Sequence, residues 1–507
     1  MSPEHLAQLE QRLWEAADTL RANSPLRLNE FSEPVLGLIF LKFADVKFRR
    51  TKREVEAEHA KRSGRKPPVT AENYHARGVL FLPEAARFSS LIALPEGANM
   101  GRAVNDAMKL IEEQNAELRG VLPKTYAKLD NPTIISLLKT FNQIPDDVEG
   151  DAFGQIYEYF LGCFAKTDGS HGGEYFTPSC IVKLIVEIIE PYHGKIFDPA
   201  CGSGGMFVQS YEFVRRHMKD KSRAAREISI YGQEKNAQTV RIAKINLAIH
   251  GLSGDIRETN TYYEDPFESV EVFDFVLANP PFNVDGVDKE RIKDDPRYPY
   301  GLPSVDNANY LWIQIFGSAL SAKGRAGFVM ANSASDARGS ELEIRKKIIK
   351  DGIVDVIVSV GPNMFYNVTL PVTLWFLDRS KRRGKRKESV LFIDARNIYR
   401  QLTRRLRDFT PEQMQEIAGI VRSYRGEEGA KPYKDVKGLC KVATLEEIEK
   451  NGWSLNPGRY TGVVEVEGDD GDFKGQLTTL VDELNNLNAS AHELENQIES
   501  NIRTLLA

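Results

Sequence analysis

From about residue 151 onward, short apolar runs return repeatedly between stretches of helical periodicity, and few folds accept that alternation. The runs are Lys195-Ile-Phe-Asp198, Ile228-Ser-Ile-Tyr-Gly232, Phe273-Asp-Phe-Val-Leu-Ala278, Ala326-Gly-Phe-Val-Met330, Val354-Asp-Val-Ile-Val-Ser359, Val372-Thr-Leu-Trp-Phe-Leu377 and Val390-Leu-Phe-Ile393. Strands this apolar are buried on both faces, which a parallel sheet covered by crossover helices provides. The expectation is a seven-stranded, doubly wound α/β domain over residues 151–400.

Residues 1–150 read differently. Apolar side chains at three- and four-residue spacing, as in Val35-Leu-Gly-Leu-Ile-Phe-Leu-Lys-Phe43 and Met108-Lys-Leu-Ile111, predict an N-terminal all-α domain. The charged stretch 51–68, closed by Pro67-Pro68, reads as an exposed helix and loop. Residues 401–472 read as a helical connecting region that ends in the acidic linker Val464-Glu-Val-Glu-Gly-Asp-Asp-Gly-Asp472. Over 473–507, Leu477, Leu480, Leu484, Leu487, Ala491, Leu494 and Ile498 alternate three and four apart, which predicts a C-terminal coiled-coil helix.

Hydrophobic residues at 41% and charged ones at 27% exclude a mostly disordered chain. No apolar stretch approaches the roughly 18 residues of a membrane span, and the first residues carry no apolar export run. A cytoplasmic protein with no membrane partner is therefore expected. The four cysteines are scattered without a CxxC pair, so neither a disulfide framework nor a metal site is expected. A net charge of −5 argues against free-standing binding to nucleic acid, because phosphate contacts draw on surplus Lys and Arg. Such a surface would have to be local or borrowed from a partner. Arg379-Ser-Lys-Arg-Arg-Gly-Lys-Arg-Lys387 and the group Arg404, Arg405, Arg407 are the local candidates, and a solvated loop between two strands is the competing reading of the first.

Chemistry enters with Phe197-Asp-Pro-Ala-Cys-Gly-Ser-Gly-Gly-Met206, a Gly-rich turn between a strand-like and a helical run. Open α/β sheets bind ligands at that edge. Gly202 and Gly204 are read as letting the backbone approach a ligand, with Asp198, Ala200 and Ser203 beside them. The spacing is neither GxGxxG nor a Walker loop, so a phosphate ligand is not expected. Glu234 falls at the tip of the second strand, where an acidic residue holds a ribose diol.

The run from Phe273 then delivers Asn279, Pro280, Pro281 and Phe282 to the same edge. These residue types suit a planar, conjugated amine, whose lone pair is delocalised and must be freed. The Asn279 side-chain oxygen and the Pro280 carbonyl can hold the two amino hydrogens, the prolines stiffen that carbonyl, and Phe282 offers a face for a ring. Asp274, just before the motif, reads as structural.

Glu174-Tyr-Phe-Thr-Pro178, Asp198-Pro-Ala-Cys-Gly-Ser-Gly204 and Asn279-Pro-Pro-Phe282, in that order, resemble the amino-methylating DNA methyltransferases. More narrowly, the chain resembles the adenine-specific modification (M) subunits of type I restriction-modification systems. The likeness covers nearly its whole length, including Asn246-Leu-Ala-Ile-His250, Leu370-Pro-Val-Thr-Leu-Trp375 and Leu455-Asn-Pro-Gly-Arg-Tyr460. It implies a Rossmann-like methyltransferase domain that takes S-adenosyl-L-methionine, with Tyr175, Phe176, Thr177 and Pro178 lining its methionine end. It also implies double-stranded DNA as substrate and a target base extruded from the duplex. The implied partners are a specificity (S) subunit, a second copy of the chain in an M2S complex, and a restriction (R) subunit. One departure concerns Asn260, which stands where the family usually has an acidic residue.

Two rival readings remain open at this level. Methyltransferases acting on protein glutamine or on RNA also use an Asn-Pro-Pro-aromatic motif, although the protein-directed ones usually carry tyrosine in fourth place and a shorter chain. A non-catalytic assembly scaffold would keep the fold without needing the intact motif seen here. No segment reads as a separate target-recognition domain, which puts sequence specificity on a partner.

Overall fold

A computed structural model of the chain describes residues 3–22, 28–61, 68–95, 97–146, 152–167, 177–365, 370–403, 406–463 and 481. Contacts divide the chain into two compact units, Met1–Thr461 and Gly462–Ala507. The coiled coil expected over 473–507 lies, Val481 apart, outside the described residues, as do Arg404 and Arg405.

The first unit begins with helices α1 (Pro3–Ala22), α2 (Leu28–Lys61), α3 (Ala71–His75), α4 (Phe88–Ile92), α5 (Met100–Gln114), α6 (Asn131–Phe141) and α7 (Ala152–Thr167). Local chemistry sets their starts. Asn99 accepts a hydrogen bond from the Arg102 amide ahead of α5, and Asp130 does the same for Thr133 ahead of α6, with a proline in the first turn. Leu13, Phe40, Met108, Phe141 and Phe160 meet in one buried core, which also takes in Ile245 and Ile249 from much later in the chain.

There follow α8 (Ser179–Ile189), β1 (Gly194–Asp198), α9 (Gly205–His217), α10 (Ala224–Glu227), β2 (Ile228–Glu234), α11 (Ala237–Ile249), β3 (Gly254–Glu258) and β4 (Phe273–Ala278). Next come α12 (Asn309–Ala319), β5 (Leu320–Ala331), α13 (Ser340–Lys350), β6 (Val354–Val360), β7 (Val372–Asp378), β8 (Ser389–Ala395), β9 (Arg400–Thr403), β10 (Leu406–Asp408), α14 (Pro411–Arg425), β11 (Cys440–Thr444) and α15 (Leu445–Lys450). The main sheet has nine strands in the order β11-β8-β6-β7-β5-β4-β1-β2-β3. From β3 to β5 the pairing is parallel, β7 runs antiparallel between β5 and β6, and β11 runs antiparallel to β8.

The α/β architecture is the expected one, but the count of seven strands is too low. The two unforeseen strands, β3 and β11, are the sheet's edges. Only Ile256 is buried in β3 and only Cys440 and Ala443 in β11, so neither shows an apolar run. Residues 401–461, expected to be helical, thus supply β11 and the β9–β10 hairpin besides α14 and α15. Asp274 is structural: its carboxylate accepts from the Lys195 amide at 2.9 Å and from the Ser321 hydroxyl at 3.2 Å, tying β4 to its neighbours.

The basic stretch 379–387 has a role that neither sequence reading anticipated. Arg379 pairs with Glu271, Arg382 with Asp351, and Arg386 with both Asp355 and Asp378, while the Lys381 ammonium donates to the Val354 carbonyl. Arg425 of α14 adds a bond to Asp355 at 3.0 Å. Burial works against the charge of Asp378, but hydrogen bonds from Ser380 and Arg386 outweigh it and hold the carboxyl below its ordinary range. Much of the basic run therefore neutralises acids at the amino edge of the sheet, and Arg383, Lys385 and Lys387 are left exposed. Asp355→Ala should strand the buried Arg425 and cost about 3–5 kcal/mol, read as a lower urea midpoint, whereas Arg102→Ala on the exposed face of α5 should leave the midpoint almost unmoved.

Candidate active site

The strand order reverses between β1 and β4, so the loops leaving their carboxyl ends part and open a crevice. After Asp198 the chain turns tightly. The Ala200 amide donates to the Asp198 carboxylate at 3.0 Å, Cys201 N–H reaches the Gln233 carbonyl at 3.0 Å, and Gly204 N–H closes onto the Cys201 carbonyl at 2.8 Å. Gly202 and Gly204 have φ of 51° and 79°, the left-handed region that favours glycine. A Cβ on Gly204 would touch Ala243 and Phe207 at an ordinary 3.7 Å, so that glycine serves the backbone turn into α9 rather than ligand approach. Open space lies instead over Gly205.

Glu234 closes β2 with its carboxylate gripped by two amides, Gly202 N–H at 3.2 Å and Asn236 N–H at 2.9 Å. Burial pushes its carboxyl above the usual range, and it pushes Asp198 well above, with the neighbouring Glu234 charge adding to the effect on Asp198. Among the described residues neither carboxylate has a basic partner in an ion pair. Two buried, uncompensated acids on adjacent strand tips form a site that favours a cationic or hydroxyl-rich ligand.

Asn279 leaves β4, which flanks β1 on the side opposite Glu234. Its side-chain N–H donates to the Thr177 hydroxyl at 3.0 Å, and its side-chain oxygen is buried with no hydrogen-bond partner among the described residues. Two clefts meet at this residue. The first is lined by Thr177, Asp198, Ala200, Gly202, Ser203 and Asn279. The second, with about 430 Å³ of space, is lined by Ala200, Glu234, Asn260, Tyr262, Asn279 and Pro281. That volume suits a small-molecule ligand.

Of the other residues singled out in the sequence, Pro178 begins α8 and is buried, Pro280 is buried, and Phe282 is half-buried between two apolar clusters. Pro178, Pro280, Phe282 and Gly204 line neither cleft. Tyr175 and Phe176 lie outside the described residues. Asn260 accepts from the Tyr262 amide at 3.3 Å.

Sequence reading missed Glu158, Gln209, Asn246, Val284 and Trp312, which line the clefts as well. Asn246 alone left a trace, as a polar residue among the apolar ones of α11; it donates to the Ser203 carbonyl at 2.9 Å. Val284 and Gln209 follow the two motifs closely but carry no signal of their own, and Glu158 and Trp312 come from α7 and α12. Among the described residues no three or more His, Cys, Asp and Glu side chains gather as a metal site, and no helix is long and apolar enough to cross a membrane.

The chain is similar to known proteins along most of its length. Residues 148–469 match the N-6 DNA Methylase family and residues 9–141 the HsdM N-terminal domain. The chain is 39% identical to the type I restriction enzyme MjaIX methylase subunit of Methanocaldococcus jannaschii, over 97% of this chain and 90% of that one. It is 38% identical to the HindI methylase subunit of Haemophilus influenzae, over 83% and 99%. Among solved structures, the type I restriction-modification methyltransferase subunit of Streptococcus thermophilus shares the fold with a TM-score of 0.76 at 22% identity, over 90% of this chain and all of that one.

The raised carboxyls carry a pH signature. A native acid that keeps its proton where the unfolded chain has lost it makes stability fall as pH rises from the ordinary carboxylate range through the raised native value. Asp198→Asn removes the buried charge and keeps an acceptor for the Ala200 amide. Thermal melts of the ligand-free protein should therefore show the variant above its parent at about pH 8 and the gap narrowing towards about pH 5.

Proposed function

Since the chain belongs to the N-6 DNA methylase family, and within it to the methylase subunits of type I restriction enzymes, we propose that it transfers a methyl group from S-adenosyl-L-methionine to the exocyclic amine of adenine in double-stranded DNA. The observation that carries this reading is the unpartnered side-chain oxygen of Asn279, buried where the two clefts meet.

The residues present fit the cofactor. Asp198 and Glu234 are acids without a cation of their own, and a ligand bearing a sulfonium, an ammonium and a ribose diol supplies what they lack. Glu234 would hold the ribose, and Asn260 would lie beside the adenosine portion. Thr177, Asp198, Ala200, Gly202 and Ser203 would line the methionine end, with Pro178 and the Gly204 turn behind them, and family likeness assigns Tyr175 and Phe176 to the same end. When bound, S-adenosyl-L-methionine supplies a methyl group on a sulfonium, which departs as a neutral thioether.

The remaining work falls to the chain. Thr177 fixes the Asn279 amide by accepting from its N–H, which leaves the oxygen as an acceptor for one amino hydrogen of the target base. The Pro280 carbonyl takes the other. With both hydrogens held, the nitrogen lone pair turns out of conjugation. Phe282 stacks against the flipped base, with Pro281 stiffening the turn between them.

A net charge of −5, with Arg379, Arg382 and Arg386 of the basic run tied into ion pairs, favours phosphate contacts shared with a partner. A specificity subunit therefore selects the site, clasped by two copies of this chain in the cytoplasm, and a restriction subunit completes the assembly. Residues 473–507 help hold the specificity subunit.

Asn279→Ala should lower methyl transfer by about a hundred- to a thousandfold, if it resembles loss of one placed polar group elsewhere. Calorimetric affinity for S-adenosyl-L-methionine should hardly change. Near-parental turnover would remove Asn279 from the mechanism. Site-specific methylation should need the co-purified specificity subunit, and deleting residues 473–507 should weaken that assembly in size-exclusion chromatography. Specific methylation by the chain alone would refute the division of labour.

A further inference from the structure

The segment that follows the Asn279 motif, residues 283–308, grips both sides of the site. At its start Asn283 adopts φ 53°. Its side-chain oxygen accepts from Asn309 at 2.9 Å and Asn307 at 3.2 Å, and its amide donates to the Asn309 side chain at 2.9 Å. These bonds anchor the end of the motif to the first turn of α12.

Farther along, the segment reaches the loop after β3, whose residues Thr259, Asn260, Thr261 and Tyr262 line the second cleft. Arg297, only 2% exposed, donates to the carbonyls of Thr261 at 2.7 Å, Glu264 at 3.2 Å and Tyr262 at 3.3 Å. Its remaining donors fork onto Asp295 at 2.6 to 3.1 Å. The Tyr298 hydroxyl donates to the Tyr262 carbonyl at 3.1 Å, the Asp288 amide donates to the Tyr263 hydroxyl at 2.9 Å, and the Arg291 guanidinium lies 4.1 Å over the Tyr263 ring.

We propose that Arg297 is a positioning residue that couples occupancy of the second cleft to the geometry of the Asn279 motif. The planar guanidinium fixes the directions of three carbonyls in one cleft-lining loop, and it sits on the same short segment that anchors the motif. A ligand that orders the loop orders that segment with it. A lysine keeps the charge but not the fork.

The inference rests on the reading that the second cleft holds the adenosine end of the cofactor. Amide hydrogen exchange of the full chain, with and without S-adenosylhomocysteine, tests it. In the parent the ligand should slow exchange about tenfold in both 259–264 and 283–300. In Arg297→Lys the slowing should persist in 259–264 and fall to within about twofold in 283–300. A merely structural role loosens the segment with and without ligand alike and leaves that ratio at its parental value, which would overturn the proposal. Parental protection of 259–264 without 283–300 would overturn it as well. No protection of either segment in the parent would overturn the cofactor assignment and the coupling together. Tyr298→Phe, which removes one bond at almost constant volume, reports in the same way should the lysine variant fail to fold. It should reduce the slowing in 283–300 about threefold, and an undiminished ratio there would also overturn the proposal.

Discussion

Parallel strands must be joined by crossovers, and where successive crossovers pass to opposite sides the loops at the strand ends are driven apart. In this chain that happens between β1 and β4, and the site follows from it. Asp198 and Asn279 are the residues at or just past the ends of those two strands, Glu234 ends the next one out, and Thr177 reaches in from the approach to α8. A crevice with one wall on each strand lets two ligands meet without either having to displace a packed core.

Acids at strand ends meet opposite fates on the sheet's two edges. At the amino edge, Asp355 and Asp378 are buried among Arg386 and Arg425, and the ion pairs satisfy them permanently. At the carboxyl edge, Asp198 and Glu234 are buried without such partners and hold their protons more tightly than usual. Burying a carboxylate without a cation destabilises the free protein, and a ligand able to offset that cost is bound more firmly for it. The uncompensated acids line the clefts, whereas at the opposite edge Asp355 and Asp378 have their cations.

Sequence legibility followed burial. The strands that run through the middle of the sheet announced themselves because both faces are covered, and the Gly-rich turn and Asn279 motif stood out because their residue types are unusual in a row. The edge strands β3 and β11 bury too little to leave a pattern. The basic run 379–387 misled because charge in a sequence does not say whether an acid waits for it; here two of the acids, Asp355 and Asp378, lie in the otherwise apolar runs of β6 and β7. Glu158 and Trp312 reach the clefts only through tertiary packing, so no spacing could have revealed them. Gly204 was singled out correctly as a special position but for the wrong reason, since its backbone angle, and not the room above it, demands glycine.

Helix α11 belongs to two cores at once. Ile245 and Ile249 are part of the cluster built by the N-terminal helices, Val240, Ala243 and Leu247 part of the one under the sheet, and Asn246 on the same helix holds the Ser203 carbonyl in the Gly-rich turn. The change in character near residue 151 is therefore a border in the sequence but not in the packing. An exchange between relatives that joined one parent's N-terminal helices to another's sheet would set unmatched side chains against Ile245 and Ile249. Heredity should then move the two parts as a single block.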